Sequence, residues 1–325
     1  MTTKLLSRLG ATAVLAIGLC AATSAAQAQS QPLRLGTATE GGVWFVLGNG
    51  LAEVIGESLG TTVTPVTTAG SMENARRIAA GGDLQLGLSV ATSMRGAIDD
   101  GTVDPAKVRI LGAGHGNFTQ VVVRKDSGWS TWSEAFEPGR TIGVGEPGSA
   151  AYEMATGVIE AEGVPLNEIK AARLGHQAQA DALKNRDIQV MVVSPGIPTA
   201  AVVDVMSTAS GALLSATDEE LQKALDAMPL MSRGVIPANT YDNQPEDVVT
   251  VKLPSLLIAS ADLTDEQAYE AVKAVYSKTD RLTAVHSNGA QWTLDNALAS
   301  RDFLQKLGFE YHPGAQRYYE EQGIW

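Results

Sequence analysis

Two stretches place hydroxyl-bearing residues and glycines where an apolar strand gives way to a helix. The first is Leu33-Arg34-Leu35-Gly36-Thr37-Ala38-Thr39-Glu40-Gly41-Gly42, ahead of Val43-Trp44-Phe45-Val46-Leu47-Gly48. The second runs from Val63 through Thr67-Thr68-Ala69-Gly70-Ser71-Met72-Glu73-Asn74 into Ala75-Arg76-Arg77-Ile78. A helix start leaves backbone N–H groups without intrahelical acceptors and carries the positive end of the helix dipole. Both turns therefore suit a carboxylate or another small anion. A third turn of the same kind, Thr141-Ile142-Gly143-Val144-Gly145-Glu146-Pro147-Gly148-Ser149-Ala150-Ala151, follows later.

The candidate ligand-binding residues follow from these turns. Thr37, Thr39, Glu40, Gly41, Gly42 and Trp44 come from the first, Ser71 and Asn74 from the second, and Ser149 from the third. Ser194 and Gly196 end an apolar strand, the place where open α/β sheets hold ligands, and Pro195 and Pro198 stiffen that loop. Each has a plainer role beside the functional one. Thr37 and Thr39 can cap a helix, Gly41 and Gly42 can serve the turn alone, and Trp44 can be a core aromatic or a cavity wall. Ser71 and Asn74 can belong to a helix cap, in which Glu73 serves the dipole rather than a ligand.

His115, His176, His286 and His312 are far apart and lack metal-ligand spacing, so no metal is expected and the histidines read as surface or internally satisfied. His115 is the exception, because Gly112-Ala113-Gly114-His115-Gly116-Asn117 follows a strand and precedes a hinge. The chain has no G-x-S-x-G elbow, P-loop or full dinucleotide fingerprint. No catalytic residue and no cofactor are expected. An enzyme on the same scaffold would need a base in the cleft, and Glu40 and His115 are the two residues placed to serve.

The elements that position these residues alternate. Strands are expected near 33–36, 62–67, 84–89, 108–112, 119–124, 141–145, 189–193 and 249–259, with helices at 44–58, 72–80, 149–161, 177–184, 198–208, 218–226, 265–280 and 293–304. That alternation predicts an α/β fold with largely parallel sheets. The charged, turn-rich segments at 124–128 and 241–247 divide the chain into three pieces. Lobe 1 is expected to combine 29–120 with 246–325, and lobe 2 to span 121–245, with a hinge and a ligand cleft between them.

Residues 1–28 read as a secretory signal: Lys4 and Arg8 open it, an apolar run covers 11–22, and Ala26-Gln27-Ala28 is a cleavage site, with cleavage expected after Ala28. A lipid attached at Cys20 is the lesser reading, because Leu19 stands before it where a small residue is usual. Cleavage leaves 297 of the 325 residues, removes the single cysteine and takes the net charge from −12 to −14. Disulfides, thiolate metal sites and a cysteine nucleophile are then excluded. Nucleic acid is not an expected partner, because the densest basic pair is Arg76-Arg77. A periplasmic monomer is expected.

From Leu33 to Trp325 the chain resembles the TAXI family of solute-binding subunits of tripartite (TRAP) transporters. The resemblance is carried by Gly36 to Gly48, Thr68 to Ala80, Val144 to Ser149 and Val193 to Val202. It continues through Ile236 to Tyr241, Leu253 to Leu257, Thr293 to Ala297 and His312 to Tyr319. It implies a two-lobed periplasmic-binding-protein fold, venus flytrap and type II-like, which captures a small organic acid or amino acid, glutamate-like or dicarboxylate, for a TRAP-type membrane permease. The chain departs from the family at Thr39-Glu40, Trp44-Phe45, Val90 and Thr92, where relatives resemble one another in carrying a Ser-Thr pair, a Tyr pair, a Gln and an Asp. Glu40 would then receive a protonated amine, and Thr92 joins the candidate binding residues. The alternatives are an ABC-type receptor for an aromatic or vitamin-like compound, a sensor using the same closure, and an enzyme on the same fold.

Overall fold

The computed structural model describes residues 32–208 and 211–325, so the expected leader at 1–28, with Cys20, lies outside the described residues. The strands are β1 (Leu33–Gly36), β2 (Val63–Val66), β3 (Leu86–Ser89), β4 (Val108–Phe118), β5 (Gln120–Arg124), β6 (Thr141–Gly143), β7 (Lys170–Ala172), β8 (Val190–Val193), β9 (Gly211–Leu214), β10 (Ser232–Ile236), β11 (Val248–Ser260) and β12 (Glu310–Tyr311). The helices are α1 (Val43–Leu59), α2 (Ser71–Ala79), α3 (Ala91–Asp99), α4 (Trp132–Ala135), α5 (Ala150–Ala161), α6 (His176–Lys184), α7 (Ala200–Thr208), α8 (Asp218–Ala227), α9 (Asp265–Ser277), α10 (Thr279–Val285), α11 (Leu294–Ala297), α12 (Arg301–Lys306) and α13 (Pro313–Glu321).

Among the described residues the strands form two sheets, one to each lobe. The seven-stranded sheet runs β12-β4-β11-β3-β1-β2, with β10 added on β11, and the five-stranded sheet runs β7-β6-β8-β5-β9. Both are mixed rather than largely parallel. β1 is parallel to β2 and β3, and β6 to β7 and β8, as strand-helix-strand crossovers require. β11, however, runs antiparallel to β3, β4 and β10, and β5 antiparallel to β8 and β9. Those exceptions belong to the strands nearest the passages between sheets.

The outward passage is made by strands, not by a polar turn. Thr119 alone separates β4 from β5; its N–H donates to Val251 O at 3.0 Å, and Thr250 Oγ1 donates to its carbonyl at 2.5 Å. Arg124 ends β5, and 241–247 lies between β10 and β11 within one sheet. Neither turn-rich segment carries the chain between sheets, the second being anchored by buried Tyr241, whose hydroxyl donates to Gln120 Oε1 at 2.6 Å, and the return passage falls between β9 and β10. Segment 121–245 supplies most of the second sheet and also β10, which pairs in the first.

β4 continues to Phe118, beyond the expected end near 112, and its glycines explain the difference. Glycine weakens an isolated strand but permits close approach. A Cβ at Gly112 would lie 2.2 Å from the Tyr276 hydroxyl, and one at Gly114 would lie 2.3 Å from the Trp292 ring. The alternate glycines make room for aromatic side chains. In the second sheet, Val121 and Val123 pack with α5 residues Met154 and Val158, while Val122 packs with Leu183 of α6 and Val205 of α7. A strand covered on both faces reads as an unbroken apolar run.

Candidate functional site

The loops leaving β1, β2, β6, β7 and β8 converge on a cavity between the two sheets. It is a cleft that opens to solvent rather than a sealed chamber. The first residues of α1, α2, α5 and α6 all face it. The starts of α1 and α6, at Gly42 and Gly175, carry no side-chain cap, whereas Ser149 Oγ caps α5 by accepting from the Tyr152 N–H at 3.0 Å.

The starts of α2 and α5 meet in one corner. Gly70 has φ 111°, a left-handed backbone suited to glycine, and a Cβ there would lie 3.9 Å from Ser149 Cβ. The N–H groups of Met72 and Glu73 donate across the lobes to Gly148 O at 3.0 and 3.3 Å. Ser71, fully buried at the head of α2, has a hydroxyl with no hydrogen-bond partner among the described residues. A buried polar atom without a partner is uncommon and needs a reason.

The starts of α1 and α6 meet in a second corner. A Cβ at Gly42 would lie 2.7 Å from His176 Nδ1, and one at Gly175 would lie 3.2 Å from Thr39 Oγ1 and 3.4 Å from Glu146 Oε1. Neither ring nitrogen of His176 has a partner among the described residues. Burial pushes its pKa down to about 4, so the imidazole is neutral near pH 7 and presents one donor and one acceptor. Gly41 O joins the lobes here, accepting from Thr199 Oγ1 at 2.9 Å and the Ala201 N–H at 3.3 Å.

Between the corners the wall is mostly apolar. Trp44 is 6% exposed and its Nε1–H donates to Ser255 Oγ at 2.8 Å, which fixes the indole. Ser255 also meets Asn117 Nδ2 at 2.9 Å and His115 Nε2 at 3.2 Å. Because Trp292 Nε1–H donates to His115 Nδ1 at 3.1 Å, the neutral His115 carries its proton on Nε2. Burial pushes the pKa of His115 down to about 3.

Of the residues expected from sequence, Thr39, Gly42, Trp44, Ser71, Ser149 and Ser194 line the cavity. The others lie elsewhere for identifiable reasons. Thr37 Oγ1 donates to Val66 O, and the Asn74 amide is committed to backbone carbonyls, so both hold the loops together. Gly41 serves the contact with Thr199, and Gly196 makes room for His115 and Asn288. His115 is sealed beneath the wall, and Glu40 is exposed on its turn. Thr92 lies near Glu153 of the opposite lobe, its hydroxyl 3.5 Å from Oε2, and Ser93 Oγ donates to the same oxygen at 2.5 Å. Burial raises the pKa of Glu153 to about 7 despite those donors.

Glu146 and His176 are cavity residues that the sequence reading missed. By spacing alone His176 reads as a surface or internally satisfied histidine. The available signal was a further strand-glycine-helix phrase, Lys170-Ala171-Ala172-Arg173-Leu174-Gly175-His176, whose strand is too short and too polar to stand out.

A model of the NMT1-like family matches residues 35–323. Among solved structures, the chain is similar to the periplasmic binding protein BugD, at 12% identity over 91% of this chain and 98% of that one, with a TM-score of 0.61. A protein from Bordetella bronchiseptica RB50 is similar at 13% identity over 91% and 99%, with a TM-score of 0.58. The substrate binding protein of an amino acid ABC transporter is similar at 13% identity over 81% and 99%, with a TM-score of 0.50. The chain has the two-lobed fold of periplasmic solute-binding proteins.

Proposed function

We propose that this chain, which belongs to the NMT1-like family, is the periplasmic solute receptor of a TRAP-type transporter of the TAXI kind. Its two lobes close over a small organic acid or amino acid and present the closed form to the membrane permease. The observation that carries this reading is the convergence of helix starts from both lobes on one cavity, where Ser71 and His176 offer hydrogen-bonding atoms that no described residue uses. The expected leader and the periplasmic binding protein among the similar folds support the location.

Closure is a population shift. A ligand touching both lobes has its full set of contacts only in the closed form, and it favours that form by the difference. Micromolar affinity needs about 8 kcal/mol net, within reach of a few charge-assisted hydrogen bonds and an indole wall. No cofactor and no covalent step enter.

The test is a melting-temperature series on residues 29–325 with glutamate, glutamine, aspartate, 2-oxoglutarate, C4-dicarboxylates and aromatic acids. Ligand at 100 times its dissociation constant adds about 2.7 kcal/mol of stability. A shift with one class is expected. No shift, together with no retained solute by native mass spectrometry, would overturn the receptor reading. Uptake reconstituted with a TRAP-type permease tests the partner, and uptake only with an ABC permease would replace it.

A further inference from the structure

We propose that the cavity selects an amino-acid zwitterion over a dicarboxylate, with Glu146 receiving the protonated amine. This rests on the receptor reading and names the solute class of the same site. Among the described residues that line the cavity, Glu146 is the only acidic side chain, and no Lys or Arg is among them. Its carboxylate makes no hydrogen bond or ion pair with a described residue, although its backbone carbonyl accepts from Ser149 Oγ at 2.7 Å.

The two corners therefore differ in their side chains, one carrying a carboxylate and the other none. The corner at Gly70, Ser71 and Ser149 offers a free hydroxyl at the head of α2, beside helix starts whose Met72, Glu73 and Tyr152 N–H groups are already engaged. The nearby Glu73 carboxylate is already engaged, by the Ala69 N–H at 2.8 Å and Arg77 Nη1 at 2.8 Å. That corner suits a carboxylate. The corner at Thr39, Glu146 and His176 holds the uncapped starts of α1 and α6, and against their positive ends it sets the Glu146 carboxylate and the neutral acceptors of Thr39 and His176, with which an ammonium group can pair. A second ligand carboxylate there would face Glu146 with no cation to offset it. Between the corners, Val43, Trp44, Ala69, Ala150, Leu174 and Pro195 line the wall, so the body of the ligand meets apolar surface.

Glu146 also stands beside the start of α6, and a carboxylate there can serve that helix alone. The two roles separate experimentally, since a helix partner affects stability and an amine partner affects selectivity. Titration calorimetry at pH 7.5 would compare leucine with 4-methylpentanoate, phenylalanine with 3-phenylpropanoate, and glutamate with glutarate. At least one amino acid is expected to bind, and its deaminated counterpart to bind at least ~10-fold more weakly. Glu146→Gln is expected to weaken the amino acid by at least ~10-fold and to leave the counterpart within ~2-fold.

Equal binding of both members of a pair by the wild-type protein, or tighter binding of glutarate, would overturn the proposal and leave the receptor reading standing. Equal weakening of both members in Glu146→Gln would do the same. If none of the six compounds and none of the dicarboxylates binds, both readings fall. The wild-type comparison decides the matter even where the variant does not fold.

Discussion

Ser71 and Asn74 stand three residues apart on one helix, both are fully buried, and both read from sequence as cleft residues. Their hydrogen bonding separates them. Asn74 Nδ2 donates to Gly36 O at 3.1 Å, Thr37 O at 2.9 Å and Leu88 O at 2.8 Å, and Oδ1 accepts from Thr68 Oγ1 at 2.8 Å. Ser71 Oγ has no such partner. A side chain whose capacity is spent on the backbone is scaffold; one left open beside a cavity is available to a solute. Glu40 and Glu146 repeat the contrast in two loops that each join a strand to a helix, the first carboxylate in solvent and the second on the cavity wall.

The largest expected effect breaks the scaffold side of this contrast. Asn74→Ala removes the amide that ties three buried carbonyls at the ends of two strands, β1 and β3, so denaturant titration should show a loss of about 4 kcal/mol. An effect below about 1 kcal/mol would mean that the amide is not the tie it resembles.

Glu153 sharpens the contrast, because it joins α5 to α3 across the lobes while its Oε1 has no partner among the described residues. Its pKa is raised from 4.5 to about 7, chiefly by desolvation. Below the unfolded value both states hold the proton. As pH rises toward 7 the unfolded chain releases it and the folded one does not, so stability falls, by roughly 3 kcal/mol once pH exceeds 7. Arg76 and Asp100 also act on this carboxyl, in opposite directions. Glu153→Gln should therefore be more stable than wild type above pH 7, with a difference that shrinks as pH falls toward 4.5. Parallel stability curves for the two proteins would contradict this.

Smaller effects test the binding side. Ser71→Ala should leave the stability of the free protein within about 0.5 kcal/mol while weakening the solute by ~10-fold in calorimetry. Loss of stability without loss of affinity would place Ser71 with Asn74. Glu40→Gln should change affinity by less than ~2-fold, since an exposed charge is well screened.

The contrast also marks what the sequence discloses. The strand-glycine-helix phrases located the cavity walls at Gly42, Ser71 and Ser149, because that pattern is local chemistry. It did not separate Asn74 from Ser71, because the carbonyls that occupy Asn74 come from Gly36, Thr37 and Leu88, far along the chain. Nor did it extend β4 past Gly112, whose glycine is explained by Tyr276 and Tyr319 on distant helices. His176 was missed because β7 has only three residues, with Lys170 exposed at its head. The helices α3 and α13 and the break at Lys278 between α9 and α10 lie outside what the periodicity predicts. Alternation of strand and helix gave the lobes their class. The antiparallel placement of β11 depends on how the chain returns between sheets, and periodicity does not encode that.

The central claim is that the cavity between the lobes holds the solute. A side chain at Gly42 would enter it, since even a Cβ there lies 2.7 Å from His176 Nδ1. The direct measurement is the ligand-induced melting shift of wild type beside Gly42→Leu, with the acids and amino acids named above. The account predicts a rise of roughly 5 °C for wild type with at least one compound at saturation, and none for the variant at a comparable unliganded melting temperature. An equal rise in both proteins would place the solute outside this cavity and contradict the account.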